Sequence, residues 1–375
     1  MSKLDDVINN IRKDYGKEII GTLKETQREY KKVPFRTPSL SYLFRGSCPR
    51  TIIELIGPPS SGKSTTSYSI CGEAQKTLKA EYEEEVAALQ AISKPSKDEQ
   101  ERLNYLLSRG YHKVVYLDSE FTSQPEWMKV NGVDIDELIY IRPQGESAEQ
   151  LFQMLLDLSA SDGVGCIVLD SIPALVSYQA QQKDLTEKTY AGISAALTTF
   201  CAKFMPLQKL YNILFIGINV PKADMAGFNR LITNGGNYWK HTCSIRLLFK
   251  QDGYYDEKYA DLKAHPDSAY GQYCGVEVIK NKATKPDRKM TRFSISYDTG
   301  IDGFNDTINL GVTIGLIKKS GAWFSIQDEK GNPKVANNGD TMKWQGLANV
   351  IKYMKEHEDV YKELYDAVCE VVERD

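Results

Sequence analysis

The sequence lacks any apolar segment long enough to cross a bilayer. A membrane-spanning helix needs roughly 18 or more consecutive apolar residues, and no segment of the chain approaches that length. The opening residues, MSKLDDVINN, also lack the apolar centre of a secretory signal peptide. We therefore expect a soluble protein that has no membrane partner.

The cysteines form neither a disulfide framework nor a metal-binding pattern. The seven cysteines are an odd number, none of them has the spacing of zinc ligands, and most lie in apolar segments. Buried, reduced thiols of this kind are typical of cytoplasmic proteins. We therefore expect a cytoplasmic location.

An excess of charge of either sign is also absent. The 47 Lys and Arg residues nearly balance the 50 Asp and Glu residues, and the formal net charge is -3. This balance excludes a uniformly basic nucleic-acid-binding protein, although local basic patches can still attract phosphate. At 375 residues the chain is long enough for one large core with one or two smaller units.

One strong motif is present in residues 57–64, which read GPPSSGKS and match the phosphate-loop pattern G-x-x-x-x-G-K-[ST]. The apolar segment TIIELI predicts a buried strand before the loop, and the residues after it predict a helix, as such a loop requires. Backbone N–H groups would surround the β-phosphate, Lys63 would reach the β- and γ-phosphates and act in catalysis, and Ser64 would hold Mg²⁺. The predicted nucleotide-binding residues here are Gly57, Pro58, Pro59, Ser60, Ser61, Gly62, Lys63, Ser64 and Thr65.

The remaining apolar segments predict an α/β fold with a mostly parallel central sheet. Four short apolar segments alternate with helical patterns, as in strands that are covered on both faces: residues 113–118, 139–141, 166–170 and 213–219. From Ser244 onward three further segments follow one another without helices, which predicts antiparallel strands: SIRLLFK, GVEVIK and RFSISY.

The flanking regions predict three parts of the chain. Residues 1–35 form a basic arm with a helix over residues 4–15. This arm could pack on the core of its own chain or, equally well, on a neighbouring subunit as an oligomerisation arm. Residues 36–322 form the core, with an inserted helical hairpin at 80–110 whose second helix begins with a capping box, Ser96-Lys97-Asp98-Glu99. Residues 323–375 form a small C-terminal α/β domain.

Carboxylates follow two of the predicted strands. Asp170 ends an apolar strand, where it can bind the water shell of a Mg²⁺ ion held by Ser64 and the phosphates. Asp118 and Glu120 lie at the end of another strand, where a carboxylate can orient or deprotonate the water that attacks a γ-phosphate. Chemistry alone does not choose between Asp118 and Glu120.

Several segments resemble the RecA/UvsX recombinases, from about residue 36 to residue 325. Their order and spacing agree with that family, and several are specific to it: GPPSSGKS, YLDSEF, IVLDSIPAL, LFIGIN, NGGNYWK, VIKNK and GVTIGLIKKSGAWFS. The resemblance implies a RecA-like P-loop ATPase core that uses ATP and Mg²⁺.

The resemblance also implies roles for individual residues. Glu120 matches the carboxylate that activates the attacking water. Trp127 falls where the family stacks an aromatic ring on adenine, with Gln124 nearby. Lys280 and Lys282 fall where lysines of a neighbouring protomer approach the γ-phosphate, and cations supplied across an interface stabilise charge on the transferring phosphoryl group.

Two long polar segments, residues 178–190 and 220–238, follow strands at the nucleotide edge, and the family places DNA on loops in these positions. Backbone N–H groups and cations could hold phosphates there, and apolar side chains could wedge between bases. The predicted DNA-binding residues are Thr199, Lys203, Phe228, Arg230, Gly235, Gly236 and Asn237.

Three departures predict a divergent member of the family, and a phage-encoded protein would fit them. The hairpin at 80–110 is additional, Pro59 replaces an acid, and Val220 stands where a polar residue usually senses the γ-phosphate and relays it to the second loop. Asn219 is then the candidate for contacting the γ-phosphate.

The function that the resemblance implies is that of a DNA-dependent ATPase, a strand-exchange recombinase that forms helical filaments on single-stranded DNA and pairs it with double-stranded DNA in recombination and repair. Single-strand-binding and loader proteins are expected partners. Two alternatives stay open at this point: a hexameric helicase or motor with the same core, and a nucleotide-gated filament that coats DNA with little turnover.

Overall fold

The structure is a computed structural model that describes residues 3–16, 19–22, 30–184, 186, 192–222, 231–263, 267–285, 287–328, 330–336 and 339–374. It divides into two units, Met1–Lys31 and Lys32–Asp375. In the first unit, helix α1 spans Lys3–Tyr15, with Gly16 after it as predicted, and none of its side chains is buried. The role of this segment as an oligomerisation arm stays a prediction.

The helices of the second unit lie between its strands and at its C-terminal end. They are α2 (Pro38–Phe44), α3 (Lys63–Gln90), α4 (Lys97–Arg109), α5 (Pro125–Val130), α6 (Ala148–Ala160), α7 (Tyr178–Gln181), α8 (Gly192–Tyr211), α9 (Gly236–Thr242), α10 (Gly303–Thr313), α11 (Leu347–Glu356) and α12 (Glu358–Arg374). Within the described part of the chain, none of these helices is long and apolar enough to span a membrane.

The strands of the second unit form three sheets, of two, ten and three strands. They are β1 (Lys32–Val33), β2 (Cys48–Pro49), β3 (Ile52–Ile56), β4 (Lys113–Asp118), β5 (Ile139–Ile141), β6 (Val164–Asp170), β7 (Leu214–Asn219), β8 (Ile245–Tyr255), β9 (Asp261–Leu262), β10 (Gly271–Asn281), β11 (Met290–Ser296), β12 (Gly300–Ile301), β13 (Ile317–Ser320), β14 (Trp323–Ile326) and β15 (Lys343–Gln345).

The large sheet confirms the predicted mostly parallel fold. Its strand order is β12-β11-β10-β8-β3-β7-β6-β4-β5, with β9 paired to β8. The pairs from β8 through β3, β7, β6 and β4 to β5 are parallel. Strands β10, β11 and β12 add on in antiparallel order, as the change of pattern after Ser244 predicts. The parallel strands therefore bring their carboxyl ends to one edge, where ligands bind in open α/β sheets.

Both faces of the sheet are covered, which explains why its strands are apolar without alternation. One core cluster contains Ile53 and Leu55 of β3 together with the buried side chains of α3. The other takes Ile52 of the same strand with α6 and α8. Successive residues of a strand point to opposite faces, so each strand contributes to both clusters.

The phosphate-loop helix α3 extends into the predicted hairpin. The sequence predicts a helix after the loop and a helical hairpin at 80–110, and in the structure α3 continues without a break to Gln90 and is itself the first arm of that hairpin. Residues 73–94 contain no glycine or proline, so nothing ends the helix earlier. The predicted capping box at α4 is confirmed: the Ser96 hydroxyl accepts from Glu99 N–H and the Glu99 carboxylate accepts from Ser96 N–H.

The C-terminal residues form a core of their own. Helices α10, α11 and α12 pack with the sheet β13-β14-β15 around Ile308, Phe324, Val350 and Val368. This cluster includes residues before position 323 as well as after it, so α10 and β13 contribute to the same core. The division of the chain at residue 323 stays a prediction.

A buried carboxylate joins this C-terminal core to the start of α2. Asp306 of α10 is 1% exposed, and it accepts hydrogen bonds from Ser39 N–H at 2.9 Å, from the Ser39 hydroxyl at 2.5 Å and from the Thr37 hydroxyl. Burial raises the pKa of Asp306 to about 6, although these hydrogen bonds oppose the shift. The folded protein therefore binds the Asp306 proton more tightly than the unfolded chain does.

This raised pKa predicts a pH effect on stability. Since the folded state holds the Asp306 proton more tightly than the unfolded state, the contribution of Asp306 is full below pH 3.8 and is lost as the pH rises to about 6. Asp306→Asn removes this titration, so the free energy of unfolding of the parent should fall relative to the variant by about 1.4 kcal/mol for each unit of pKa difference. Urea unfolding of both proteins across this pH range tests it, and parallel pH profiles would contradict it.

Candidate functional site

The phosphate loop lies between β3 and α3, at the carboxyl edge of the parallel strands. Lys63 is the first residue of α3, and Gly62 before it has a φ of 91°, which favours glycine. The Lys63 ammonium donates to the Pro58 carbonyl at 2.7 Å and lies 3.4 Å from the Ser61 hydroxyl. Burial lowers the pKa of Lys63, while Asp170 and Glu120 oppose that shift. The lysine is thus held inside the loop where a phosphate would lie.

Strand β10 supports this loop from one side. The Gln272 amide donates to the Ser60 carbonyl at 2.9 Å, and the Cys274 thiol donates to the Ser61 carbonyl at 3.0 Å. A Cβ atom on Gly57 would lie 2.6 Å from the Phe249 carbonyl oxygen, so only glycine fits there. These contacts occupy the carbonyls of Ser60 and Ser61, and backbone N–H groups of such a loop can bind an anion.

Ser64 and Asp170 meet beside Lys63. The Ser64 hydroxyl donates to Asp170 Oδ2 at 2.8 Å, and the buried Tyr116 hydroxyl donates to the same oxygen at 2.7 Å. Burial raises the pKa of Asp170, against the effect of these two hydrogen bonds. A hydroxyl and a carboxylate are the oxygen ligands that Mg²⁺ takes together with substrate phosphates, and a cation there would favour the charged carboxylate. The residues present fit a Mg²⁺ site.

The structure separates the roles of Asp118 and Glu120. Asp118 is 1% exposed, and its carboxylate accepts from the N–H groups of Glu120, Phe121 and Ser123 and from the Tyr140 hydroxyl at 2.7 Å. Burial raises its pKa, but the hydrogen bonds from Tyr140 and from the turn outweigh that effect and lower it. Asp118 therefore holds the turn that carries Glu120.

Glu120 is exposed at the edge of the sheet, where its carboxylate accepts a hydrogen bond from the Ser171 hydroxyl. Ser171 directly follows Asp170, so Glu120 is anchored next to the metal-site carboxylate. An exposed carboxylate with one hydroxyl partner keeps lone pairs for a water molecule. Of the two carboxylates, only Glu120 is accessible to solvent, and its role in activating the attacking water stays a prediction.

An open pocket of about 410 Å³ lies beside the phosphate loop. The Trp127 indole N–H donates to Thr65 Oγ1 at 3.2 Å. Because Thr65 directly follows Ser64, this hydrogen bond holds the ring beside the phosphate loop. An aromatic wall of this kind can stack on a nucleobase. The pocket is lined by Ser64, Tyr68, Thr122, Gln124, Trp127 and Tyr297.

Asn219 does not point an unpaired group at the phosphates. It has no exposed surface, its amide Nδ2 donates to Glu54 Oε1 at 2.7 Å and to the Asn234 carbonyl at 3.0 Å, and its Oδ1 accepts from Val220 N–H at 2.9 Å. Its role as a contact of the γ-phosphate stays a prediction.

The two lysines predicted to act on a neighbouring site lie away from the phosphate loop of their own chain. The Lys280 ammonium donates to the carbonyls of Lys240 and His241 at the end of α9, at 2.7 and 2.9 Å. Burial and then the charge of Lys282 lower the pKa of Lys280. Lys282 is exposed. Lys280 therefore holds α9 in this chain, while Lys282 is accessible to a second copy.

The predicted DNA-binding residues are partly described. Thr199 and Lys203 lie one turn apart on α8, both exposed, and Asn237 is exposed at the start of α9. Gly235 precedes α9 with a φ of 98°, and a Cβ on Gly236 would lie 3.3 Å from Ser194 Cβ, so the starts of α8 and α9 are adjacent. Phe228 and Arg230 lie outside the described residues.

Sequence reasoning missed the residues that support the site from elsewhere in the sheet. Gln272 and Cys274 support the phosphate loop although they are more than 200 positions away, and no sequence pattern links them to it. The sequence pattern identifies Tyr116 only as part of an apolar strand. A signal was available for Glu54, because a charged residue within the buried strand TIIELI needs partners.

Comparison with known proteins gives consistent matches. A family model described as the RecA N-terminal domain matches residues 107–302. A protein named Protein RecA from Rickettsia africae (strain ESF-5) is 27% identical over 367 residues, which cover 96% of this chain and 90% of the relative. Another Protein RecA, from Teredinibacter turnerae (strain ATCC 39867 / T7901), is 29% identical over 372 residues, which cover 97% of this chain and 91% of the relative.

Proposed function

This chain belongs to the RecA family of recombinases, and on that basis we propose that it is an ATP-dependent DNA strand-exchange enzyme that assembles as a filament on single-stranded DNA. Double-stranded DNA is the second substrate. Each ATP is bound by the phosphate loop of one protomer and contacted by Lys282 of the next.

The observation that carries the proposal is the grouping of Lys63, Ser64, Asp170 and Glu120 at one edge of the sheet. Lys63 and the loop N–H groups bind the triphosphate, since they form a buried positive site. Ser64 and Asp170 would hold Mg²⁺, which neutralises charge on the β- and γ-phosphates when bound. Glu120, anchored by Ser171, orients the attacking water and accepts its proton.

The DNA sites are proposed at the same edge. Strands β6 and β7 lead into the two long segments, and Lys222 N–H donates to the Ile232 carbonyl at 2.8 Å, which joins the two ends of the second segment. Asn237 is exposed at the start of α9 and Lys203 is exposed on α8, and we assign to this surface a cation and backbone N–H groups that bind a DNA backbone. Backbone contacts leave base edges free, so that base pairing reads homology.

Two substitutions in the second segment, residues 220–238, should change DNA binding in different ways. Arg230→Ala should weaken DNA binding about equally for all sequences. It should also reduce the slope of log affinity against log salt concentration by roughly 0.7, the value for one neutralised phosphate of a single strand. Phe228→Ala should leave the slope unchanged and cost roughly 1–3 kcal/mol if a base stacks on the ring. Fluorescence anisotropy with salt titration measures both.

The matched control for charge is Lys209→Ala, an exposed lysine near the end of α8, which should change the slope little. If affinity and slope are unchanged in both loop variants, the second segment is not the DNA site.

The experiment that tests the overall proposal is ATP hydrolysis with and without single-stranded DNA, combined with electron microscopy of the same samples. Stimulated hydrolysis and open helical filaments are the expected result. Closed rings would support the helicase or motor alternative instead. Filaments on DNA without stimulated hydrolysis would support a coating protein.

A further inference from the structure

Three tyrosines lie together close to the nucleotide site, on the face of the sheet that α3 covers. Tyr116 of β4 pairs in register with Tyr140 of β5, so both side chains leave the sheet on the same face. Their rings are stacked, with centroids 6.3 Å apart and an angle of 9° between the planes. Tyr68 of α3 lies against Tyr116, with a centroid distance of 5.3 Å. We call Tyr68, Tyr116 and Tyr140 the tyrosine layer.

Tyr116 connects the tyrosine layer to the carboxylate of the metal site. It has no exposed surface, and its hydroxyl donates to Asp170 Oδ2 at 2.7 Å. Asp170 is only 4% exposed, and the Ser64 hydroxyl donates to the same oxygen at 2.8 Å. Because packing fixes the tyrosine ring, its hydrogen bond holds the Asp170 carboxylate in the orientation in which it meets Ser64.

The other two hydroxyls reach the turn that follows β4. Tyr140 donates to Asp118 Oδ2 at 2.7 Å, and that oxygen also accepts from Ser123 N–H at 3.0 Å. Tyr68 donates to the Ser123 hydroxyl at 3.0 Å. The tyrosine layer therefore contacts this turn through two members and the metal site through the third.

The hydroxyls of the tyrosine layer are not needed for packing. Phenylalanine would fill the same space and stack in the same way, and burying the hydroxyls of Tyr68 and Tyr116 costs free energy unless they are hydrogen-bonded. All three hydroxyls donate to groups at the carboxyl edge of the parallel strands, where ligands bind in open α/β sheets. Their placement therefore serves the site at that edge rather than the core.

We propose that the tyrosine layer positions the metal site and the turn after β4 relative to each other, and that the Tyr116 hydroxyl strengthens Mg²⁺ binding by orienting Asp170. This inference rests on the proposed function, since it concerns the same ATP site. Tyr116 and Tyr140 are positioning residues, because they act through Asp170 and Asp118. Loss of a hydrogen bond that orients a metal ligand typically lowers metal affinity by about 10–100-fold.

The test is a Mg²⁺ titration of the binding of a fluorescent, non-hydrolysable ATP analogue to the full chain. Tyr116→Phe keeps the ring and removes the hydroxyl, so it should raise the half-saturating concentration of free Mg²⁺ by about 10–100-fold. Binding of the analogue in EDTA should change little, because Lys63 and the phosphate loop are the same in both proteins.

Two further variants separate the roles within the tyrosine layer from a general effect. The Tyr140 hydroxyl contacts the turn, so Tyr140→Phe should keep the parental Mg²⁺ titration and lower the rate of DNA-stimulated hydrolysis at saturating Mg²⁺. Tyr255→Phe is the matched control. Tyr255 is a buried tyrosine of β8 whose hydroxyl has no hydrogen-bond partner among the described residues, and its loss should change neither measurement.

A parental Mg²⁺ titration for Tyr116→Phe overturns the inference, and so does an equal shift in Tyr255→Phe. If Tyr116→Phe does not fold, Tyr140→Phe decides: its ring is 41% exposed, so the variant should fold, and a parental hydrolysis rate would show that the tyrosine layer does not position the turn. A parent whose analogue binding does not respond to Mg²⁺ would contradict the proposed function. A Mg²⁺ response in the parent that Tyr116→Phe fully retains would contradict only this inference.

Discussion

Glu120→Gln should lower the rate of ATP hydrolysis by about 10²–10⁴-fold, the usual contribution of a general base, and leave ATP binding intact. Glutamine keeps the shape of the side chain and can still accept from the Ser171 hydroxyl, but it cannot take a proton from water. Because Glu120 is exposed, the change should not affect folding. ATP that stays bound should also prolong the life of the filament.

Asp118→Asn serves as the discriminating variant. Its amide NH2 group replaces one carboxylate oxygen and would face either the N–H donors of Glu120 and Phe121 or the N–H donor of Ser123. The variant should therefore disturb the turn and weaken binding as well as hydrolysis. Glu101→Gln, at an exposed position of α4, is the matched control. If Glu120→Gln hydrolyses ATP at the parental rate while Asp118→Asn only loses hydrolysis, Asp118 is the base.

Lys282→Ala should lower the rate of DNA-stimulated ATP hydrolysis by roughly 10³-fold. This is the lower end of what a cation supplied across an interface contributes to phosphoryl transfer. The monomer should still bind nucleotide through Lys63. Lys282 is exposed and lies away from the phosphate loop of its own chain, so its loss should not disturb that loop. Lys285→Ala removes another exposed lysine three residues away and should keep the stimulation.

Mixing Lys282→Ala with Lys63→Ala gives the sharper result. At a mixed interface the Lys63→Ala subunit supplies the lysine that acts across the interface, and the Lys282→Ala subunit supplies the intact phosphate loop. DNA-stimulated hydrolysis should therefore return in the mixture, whereas each variant alone lacks it. Absence of rescue at every ratio, with co-assembly shown, would mean that Lys282 does not act on a neighbouring site.

The sequence predicts those parts of the fold that depend on interactions between residues close together in the chain. The apolar segments of β3, β4, β6 and β7 predict a parallel sheet because strands covered on both faces need no polar alternation. The capping box at Ser96 and Glu99 predicts the start of α4 since both partners lie within four residues.

The parts that sequence could not supply depend on contacts between distant residues. The choice between Asp118 and Glu120 depends on which carboxylate accepts hydrogen bonds from the N–H groups of the turn. The two residues are only two positions apart in the same motif, so the sequence alone does not distinguish them. The support of the loop by Gln272 and the bonds of Asn219 to Glu54 arise from strand order, which the sequence pattern leaves open. The pattern also does not show that the phosphate-loop helix and the first arm of the hairpin are one continuous helix, because the residues after Lys79 are charged and carry only a narrow apolar stripe.

The central claim is tested most directly by a strand-exchange assay in which the protein, ATP and single-stranded DNA are incubated with homologous or with heterologous duplex DNA. We predict a transferred strand with the homologous duplex, none with the heterologous duplex, and none with either duplex for Lys63→Ala. Equal transfer with both duplexes, or duplex unwinding in the absence of a homologous single strand, would contradict the assignment as a strand-exchange recombinase.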